Sequence, residues 1–409
     1  MGDILFLAHR MPFPPDRGDK IRSHHILKAL AKLAPVHVGC FAESEADLSH
    51  LHELDFCASH CVTLRSKPVP VAGIEALFKG KPVSLTAFYK KELQDWVKAT
   101  IAAHDIQTIY VFSGQMGQYV PDDFAGRLVM DMVDVDSAKF EAYAEKDGPR
   151  AMIDAREGRL LAAEEERLAH RAAHTLFVSD AEAKLFNSRL VDPAGVAASA
   201  LRNGIDTEFF DPANSAAHPE LAATTGPHFV FTGQMDYQPN IDAAERMIGS
   251  ILPGIRETLP DAEFHIVGRA PVASLLVQDG KDGVRVWGEV PDVRPFVAGA
   301  DVVVAPLTIA RGVQNKVLEA MSMARPVLIS PEAATGIDAK DGEHFSIQAS
   351  DEGLIARAIE LVSNPDAAAK LGDAARRFVV ERQGWDAMMS PLADLVGFAP
   401  STEPKRDAA

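Results

Sequence analysis

Short apolar runs alternate along this chain with longer stretches of helical periodicity. In the first half, residues 4–8, 36–41, 108–112, 128–132, 175–178 and 197–201 predict strands. In the second, residues 228–232, 263–268, 284–287, 301–305 and 327–329 do the same. Most of these runs are apolar throughout, the mark of parallel strands covered on both faces. Helices are predicted at 21–33, with Ile21, Ile26, Leu27 and Leu30 as apolar positions, at 181–188 and at 240–259. A long charged helix is predicted at 137–173, broken at Gly148-Pro149. Such alternation predicts an α/β protein of two doubly wound, Rossmann-like halves, each with its own parallel sheet. The expected domains are 1–205 and 206–382, with 383–409 a helix returning to the first domain and then a disordered tail. Residues 211–227 read as a connection between domains, and no short-period repeat suggests a solenoid.

Composition narrows the function classes. With 409 residues, 47% apolar and 24% charged, the chain reads as a soluble globular protein with room for two or three domains. A formal charge of −17 argues against a nucleic-acid partner, which calls for a basic footprint. No apolar run reaches the roughly eighteen residues of a spanning helix, and residues 1–7 are too short for a signal-peptide core. A cytoplasmic protein is expected. Cys40, Cys57 and Cys61 leave an odd thiol; Cys57, His60 and Cys61 make only half of a zinc site, so no metal is assigned to them.

In doubly wound sheets, ligands bind beyond the carboxyl ends of the strands. That rule selects the loops holding Gly18, Asp134, Gly233, Arg269, Glu289 and Arg311. If the two sheets faced one another through these loops, they would form a cleft between the domains. The stretch 300–337 is the most informative: a buried strand, a loop with Arg311-Gly312, a helix opening at Asn315-Lys316, and a second buried strand. A helix start beside a cation is an anion site. One turn on, Glu319 is placed to accept two hydrogen bonds from a vicinal diol. Phosphate plus diol outlines a nucleotide-sugar; the other reading is an ordinary βαβ crossover with a solvated loop.

Particular motifs carry a family resemblance. Asn203-Gly204-Ile205-Asp206 with Phe209, Phe210 and Pro212, the strand end His265-Ile266-Val267-Gly268, the turn Val286-Trp287-Gly288-Glu289-Val290, and Leu318-Glu319-Ala320-Met321 with Pro326-Val327 resemble the nucleotide-binding domain of GT-B-fold glycosyltransferases. The resemblance is to the retaining group called family 4. It is extended by Pro14-Pro15-Asp16-Arg17-Gly18-Asp19 and Arg22, and covers residues 3–380. The run 306–321 and Met130 to Phe140 resemble a bacterial sugar transferase subgroup linked to exosortase and exopolysaccharide systems.

The resemblance implies a GT-B fold, two Rossmann-like domains across a cleft, transferring a sugar from a nucleotide-diphosphate donor to a glycan or lipid-linked acceptor without a cofactor or metal. It implies that Glu319 holds the ribose hydroxyls, and that Gly312, Asn315 and Lys316 receive the diphosphate. Gly18, Gly233, Gly268 and Arg269 would lie against the donor, and the turn up to Val290 against the base. Two departures stand out. Arg311 occupies a position where many relatives carry glutamate, and the loop after Gly233, QMDYQPN, lacks the usual Arg and Lys. Arg311 and Lys316 are expected to supply the missing positive charge. Where relatives place a histidine, this chain has Asp131, Asp134 and Asp136; Asp134 is the candidate to orient the acceptor or donor hexose. The other readings are a divalent-cation cluster, or helix capping by Asp136 and Ser137. His9 follows the first strand, and His24 and His25 cannot both face one site.

Residues 65–98 carry seven Lys and Arg against three Asp and Glu, interleaved with aromatics. That pattern suits peripheral contact with an anionic membrane at its inner face; the alternative is a solvated helix pair with an apolar core face. A GT-B-fold epimerase and a non-catalytic scaffold are the other function classes. Dehydrogenase and P-loop readings fail, because neither GxGxxG nor GxxxxGK[ST] stands in the required place.

Overall fold

Strands made of continuous apolar residues need cover on both faces, and both halves of the chain meet that need with parallel sheets between helices. The computed structural model describes residues 2–145, 150–310 and 312–398. The chain divides into two units. One is built from the chain up to Asn203 together with the segment from Met389, the other from Gly204–Met388.

The first unit holds β1 (Asp3–Ala8), β2 (Val36–Ala42), β3 (Ser59–Leu64), β4 (Ile106–Phe112), β5 (Arg127–Val133), β6 (His174–Phe177) and β7 (Ala198–Ala200). They form one parallel sheet in the order β3-β2-β1-β4-β5-β6-β7. Strand β3 escaped the apolar pattern because it is an edge strand with only Thr63 buried. The helix Gly18–Ala31 crosses from β1 to β2 and buries Ile26, Leu27 and Leu30. The charged stretch expected as a broken helix forms two helices, Asp136–Ala144 and Ala151–Arg171. The break residues Gly148-Pro149 lie outside the described residues. The helix Leu392–Val396 belongs to this unit: Thr108 Oγ1 donates to the Val396 carbonyl at 2.9 Å.

The second unit holds β8 (His228–Thr232), β9 (Glu263–Val267), β10 (Val284–Gly288), β11 (Val302–Ala305), β12 (Val327–Ile329) and β13 (Ser346–Ile347), parallel in the order β10-β9-β8-β11-β12-β13. Phe229, Phe231, Phe264 and Ile266 are fully buried at its centre. Residues 211–227, expected as a connection, lie inside this unit. Leu221 is buried in its core, and Asp211 pairs with Arg376 at 2.6 Å. The helix expected over 240–259 is continuous but not uniform: Gln238–Arg246 widens into a π-helical stretch, Met247–Ile251, before Leu252–Thr258. Pro253 explains the widening, since it has no N–H for the Gly249 carbonyl and its ring would crowd that oxygen.

Candidate functional site

Strand order reverses beside β8, which has β9 on one side and β11 on the other. Such a switch point opens a crevice at the carboxyl ends of the two central strands. Here β8 ends in Thr232-Gly233, and β11 leads into the helix Asn315–Ser322. That helix buries Val317, Leu318, Ala320, Met321 and Ser322, which leaves Asn315, Lys316 and Glu319 on its other face. Its N-cap, Gln314, makes no side-chain cap bond; Val317 N–H donates to the Gln314 carbonyl at 3.0 Å, and the Asn315 and Lys316 N–H groups are left for another acceptor.

Lys316 is bent back onto the crevice floor. Its Nζ donates to Asn240 Oδ1 at 2.5 Å and lies 4.4 Å from the Phe231 ring centroid. A Cβ added to Gly233 would sit 3.0 Å from that Nζ. Asn240 is held in turn by donating through Nδ2 to the Gln234 carbonyl at 2.9 Å. Burial lowers the Lys316 ammonium to about 8, against the pull of Glu319. Glu319 is half-buried, and its carboxylate has no hydrogen-bond or ion-pair partner among the described residues. Burial raises it to about 7, with Lys316 opposing. A cation and a carboxylate one turn apart are each pushed toward neutrality by a site that keeps water out. Groups so perturbed in a crevice are candidates for ligand binding.

Three strand ends are stitched together here. Gly233 N–H donates to the Val267 carbonyl at 3.0 Å, and Gly268 N–H to the Gly288 carbonyl at 2.9 Å. Gly268 has φ 152°, and a Cβ there would meet the Gly233 oxygen at 1.6 Å, so only glycine fits. Beyond β9, Met235 N–H donates to the Arg269 carbonyl and Arg269 Nη2 donates to Gln234 Oε1 at 2.8 Å. An exposed guanidinium therefore stands on the loop after Gly233, where QMDYQPN itself has no cation. The Trp287 indole is turned away into a contact with His218 and Phe296, leaving the half-buried turn to Val290 to offer backbone. Gly312 and Asn315 are exposed, and Arg311 lies outside the described residues. Asn240 and Phe231, which position Lys316, were not singled out from the sequence; the Asn at the third position of a helix following Gly233 was the available signal.

In the first unit the switch point lies between β1 and β4. Gly18 opens the helix after β1, and a Cβ there would meet nothing within 4 Å. His9 follows β1 with Nε2 3.2 Å from Asp19 Oδ2 and its ring 5.8 Å from Phe112. The three aspartates near β5 do not form one cluster. Asp131 is fully buried and paired with Arg22 Nη2 at 2.9 Å, and Tyr110 OH also donates to it. Asp134 and Asp136 share the Lys139 ammonium at 2.8 and 3.3 Å, which occupies the place a divalent cation would need. Val133, a β-branched residue at φ 70°, turns the chain so that Asp134 leaves the strand end partly exposed. The helix Asp136–Ala144 is capped from elsewhere: Glu165 accepts from Ser137 N–H and hydroxyl at 2.9 and 2.6 Å, and Glu182 from Val135 N–H at 2.8 Å.

Two histidine groupings lie near the amino ends of strands, away from the crevices. In the second unit, Trp287 Nε1–H donates to His265 Nδ1 at 3.2 Å, so neutral His265 carries its proton on Nε2. That proton goes to His228 Nδ1 at 2.9 Å, and His228 Nε2–H goes to the Thr224 hydroxyl at 3.0 Å. A metal on His265 Nε2 would require a proton on Nδ1, facing the indole N–H. The chain of donors fits a closed hydrogen-bond relay, not a metal. The first unit's group is Asp3, His37 and His104, with His37 Nε2 3.1 Å from Asp3 and Nδ1 2.7 Å from the Ser59 hydroxyl. All three cysteines are free; burial pushes Cys57 up to about 12 and Cys61 up to about 11, so both remain thiols.

Comparison with known proteins follows the same division. Residues 226–364 match the family model described as Glycosyl transferases group 1. No curated protein matches the chain. Among solved structures, Anabaena Alr3699/HepE in complex with UDP aligns with a TM-score of 0.61 at 15% identity, covering 97% of this chain and 100% of that one. Sucrose-phosphate synthase from Thermosynechococcus elongatus aligns with a TM-score of 0.58 at 17% identity, over 97% and 98% of the two chains. WaaG, a glycosyltransferase involved in lipopolysaccharide biosynthesis, aligns at 0.55 and 15% over 96% and 100%. Two parallel-sheet α/β units of seven and six strands with these neighbours decide the architecture.

The fold is GT-B. The match to the Glycosyl transferases group 1 model falls in its second unit, and the crevice of Gly233, Lys316 and Glu319 lies within the matched residues. No helix among the described residues is long and apolar enough to cross a membrane.

Proposed function

We propose that this protein is a retaining glycosyltransferase of the family 4 type, which moves a sugar from a nucleotide-diphosphate donor to a glycan or lipid-linked acceptor. Its setting in this reading is exopolysaccharide or related cell-surface glycan synthesis, with peripheral contact at an anionic membrane. The observation that carries the reading is Glu319. Its carboxylate lies one turn beyond an uncapped helix start and the Lys316 ammonium, with no partner among the described residues. A ribose diol would donate to Glu319, while the diphosphate would meet the Lys316 ammonium and the N–H groups of Asn315 and Lys316. Gly233, Gly268, Arg269, Gly312, Asn315 and the turn at Val290 are the remaining donor-side residues, with Arg311 assigned there from sequence. The UDP and UDP-glucose complexes of Anabaena HepE support a uridine donor as the first to test.

In this mechanism the bond between the sugar and the leaving diphosphate breaks as the acceptor hydroxyl attacks the anomeric carbon from the same face. The acceptor proton leaves with the departing phosphate oxygen. Lys316 and the helix N-terminus stabilise the charge that develops on that oxygen. For the first unit we assign roles in turnover to Asp134 and Gly18. Asp134 is an exposed-edge carboxylate that can orient a hydroxyl, and Gly18 has no intramolecular contact that requires glycine.

A thermal-shift panel of UDP-, GDP- and ADP-sugars against the free nucleotides tests the donor assignment. One nucleotide class should raise the melting temperature, and Glu319→Ala should abolish the rise. A panel with no response, or a response unchanged in Glu319→Ala, would sink it. Nucleotide binding with no sugar released to any acceptor or to water would favour the non-catalytic scaffold.

A further inference from the structure

The helix Val69–Lys79 is built inside out. It buries only Ala72 and Ala76, while Val71, Ile74 and Phe78, spaced i, i+3, i+7 along one face, are 53, 59 and 89% exposed. Leu77 beside them is 67% exposed. A surface helix ordinarily turns its large apolar side chains to the core. This one is fixed in the opposite pose. Gly80, at φ 63°, closes it with Lys81 N–H donating to the Ala76 carbonyl. Arg156 then donates to the carbonyls of Ala76 and Lys81. That arginine belongs to the helix Ala151–Arg171, in whose first turn Met152 and Ile153 are also exposed. An outward apolar group of this extent marks an interaction surface.

Charge identifies the partner. The protein as a whole is strongly acidic, yet residues 65–98 are basic. The acid on this helix, Glu75, is clamped by Lys67 at 2.8 Å and Lys79 at 2.6 Å, and those two ammonium groups hold its carboxyl down at about 2. Lys81, Lys90 and Lys98 have no ion pair among the described residues. Large apolar side chains flanked by unpaired lysines are the chemistry of a helix lying in the interface of a negatively charged bilayer.

We infer that the helix Val69–Lys79 docks the first unit onto an anionic lipid surface, with Val71, Ile74, Leu77 and Phe78 among the acyl chains and Lys81, Lys90 and Lys98 at the headgroups. The inference rests on the peripheral membrane contact of the proposed function, which it assigns to this helix; the lipid contact does not depend on donor binding.

Flotation of the full chain with vesicles tests it. Vesicles of equal parts phosphatidylglycerol and phosphatidylcholine should carry the protein, and pure phosphatidylcholine should not. The bound fraction should fall with added salt as the lysines are screened. Leu77→Ser combined with Phe78→Ser should lower partitioning about tenfold or more, with the melting temperature and any nucleotide-induced shift unchanged. Lys81→Gln with Lys90→Gln should weaken binding and flatten its salt dependence. Failure of the unsubstituted chain to float, or equal flotation of the Leu77/Phe78 variant, overturns the proposal. So does a dimer that the same variant converts to monomer in the absence of vesicle binding, which would assign the face to a second copy. Flotation without any nucleotide response would leave this inference standing and remove the donor assignment.

Discussion

Lys316 and Glu319 stand one turn apart, and burial has drawn their ionisation toward each other, to about 8 and about 7. The bound state proposed above needs the ammonium charged and the carboxylate ionised. Below the Glu319 value the free protein must lose a proton to bind; above the Lys316 value it must gain one. Affinity for the stabilising nucleotide should therefore peak between these two values and fall on either side, approaching roughly tenfold per pH unit. Calorimetric titration across that range checks it, and Lys316→Met should remove the alkaline limb while lowering affinity throughout. Gly268 makes a structural counterpart. Its missing side chain lets the backbone lie against the Gly233 oxygen, so Gly268→Ala should cost about 3 kcal/mol or more in urea unfolding. Lys316 and Glu319 were visible in sequence as a motif. Asn240 and Phe231 were not, because their role is to hold a side chain 76 positions away in the case of Asn240.

At the scale of elements, the apolar runs were sufficient to reveal the buried parallel strands, whose residues have no polar face to display. The same logic explains what stayed hidden. Strand β3 is an edge with mixed exposure, and β13 is only Ser346–Ile347. The helix after β8 looked uniform by periodicity, since the π-helical stretch Met247–Ile251 preserves the apolar face while Pro253 alters the hydrogen bonding. Capping was misread for a tertiary reason: neither Asp136 nor Ser137 supplies the cap, and the acceptor arrives from Glu165 on another helix. Glu165→Ala should strand a buried N–H and hydroxyl and destabilise the first unit by about 2 kcal/mol. Chemical unfolding should show that loss without a change in nucleotide affinity.

For the whole molecule, each unit has its own sheet and core, and the second also holds the Trp287–His265–His228–Thr224 relay. Burial, with the Arg285 guanidinium nearby adding to it, lowers His265 to about 3, against an ordinary 6.5. The unfolded chain therefore takes up a proton that the folded unit refuses. The stability this represents is present above the unfolded value and drains away as pH falls from there toward 3, by on the order of 1 kcal/mol per pH unit. Scanning calorimetry should find the unfolding transition raised by nucleotide to be the one that acid lowers. Equal acid sensitivity in His265→Asn would count against the relay as its source.

The sequence by itself determined the α/β class, the doubly wound halves and the helix start bearing Lys316 and Glu319. These depend on local periodicity and on residues close together in the chain. Tertiary structure decided the rest. It sent Asp131 to Arg22 rather than to a cation, filled the gap between Asp134 and Asp136 with Lys139, and turned the apolar face of Val69–Lys79 outward. Periodicity shows that a helix has an apolar face, but only packing decides whether the core or the solvent receives it. For the same reason, a carboxylate's chemistry depends on which cation the fold brings to it.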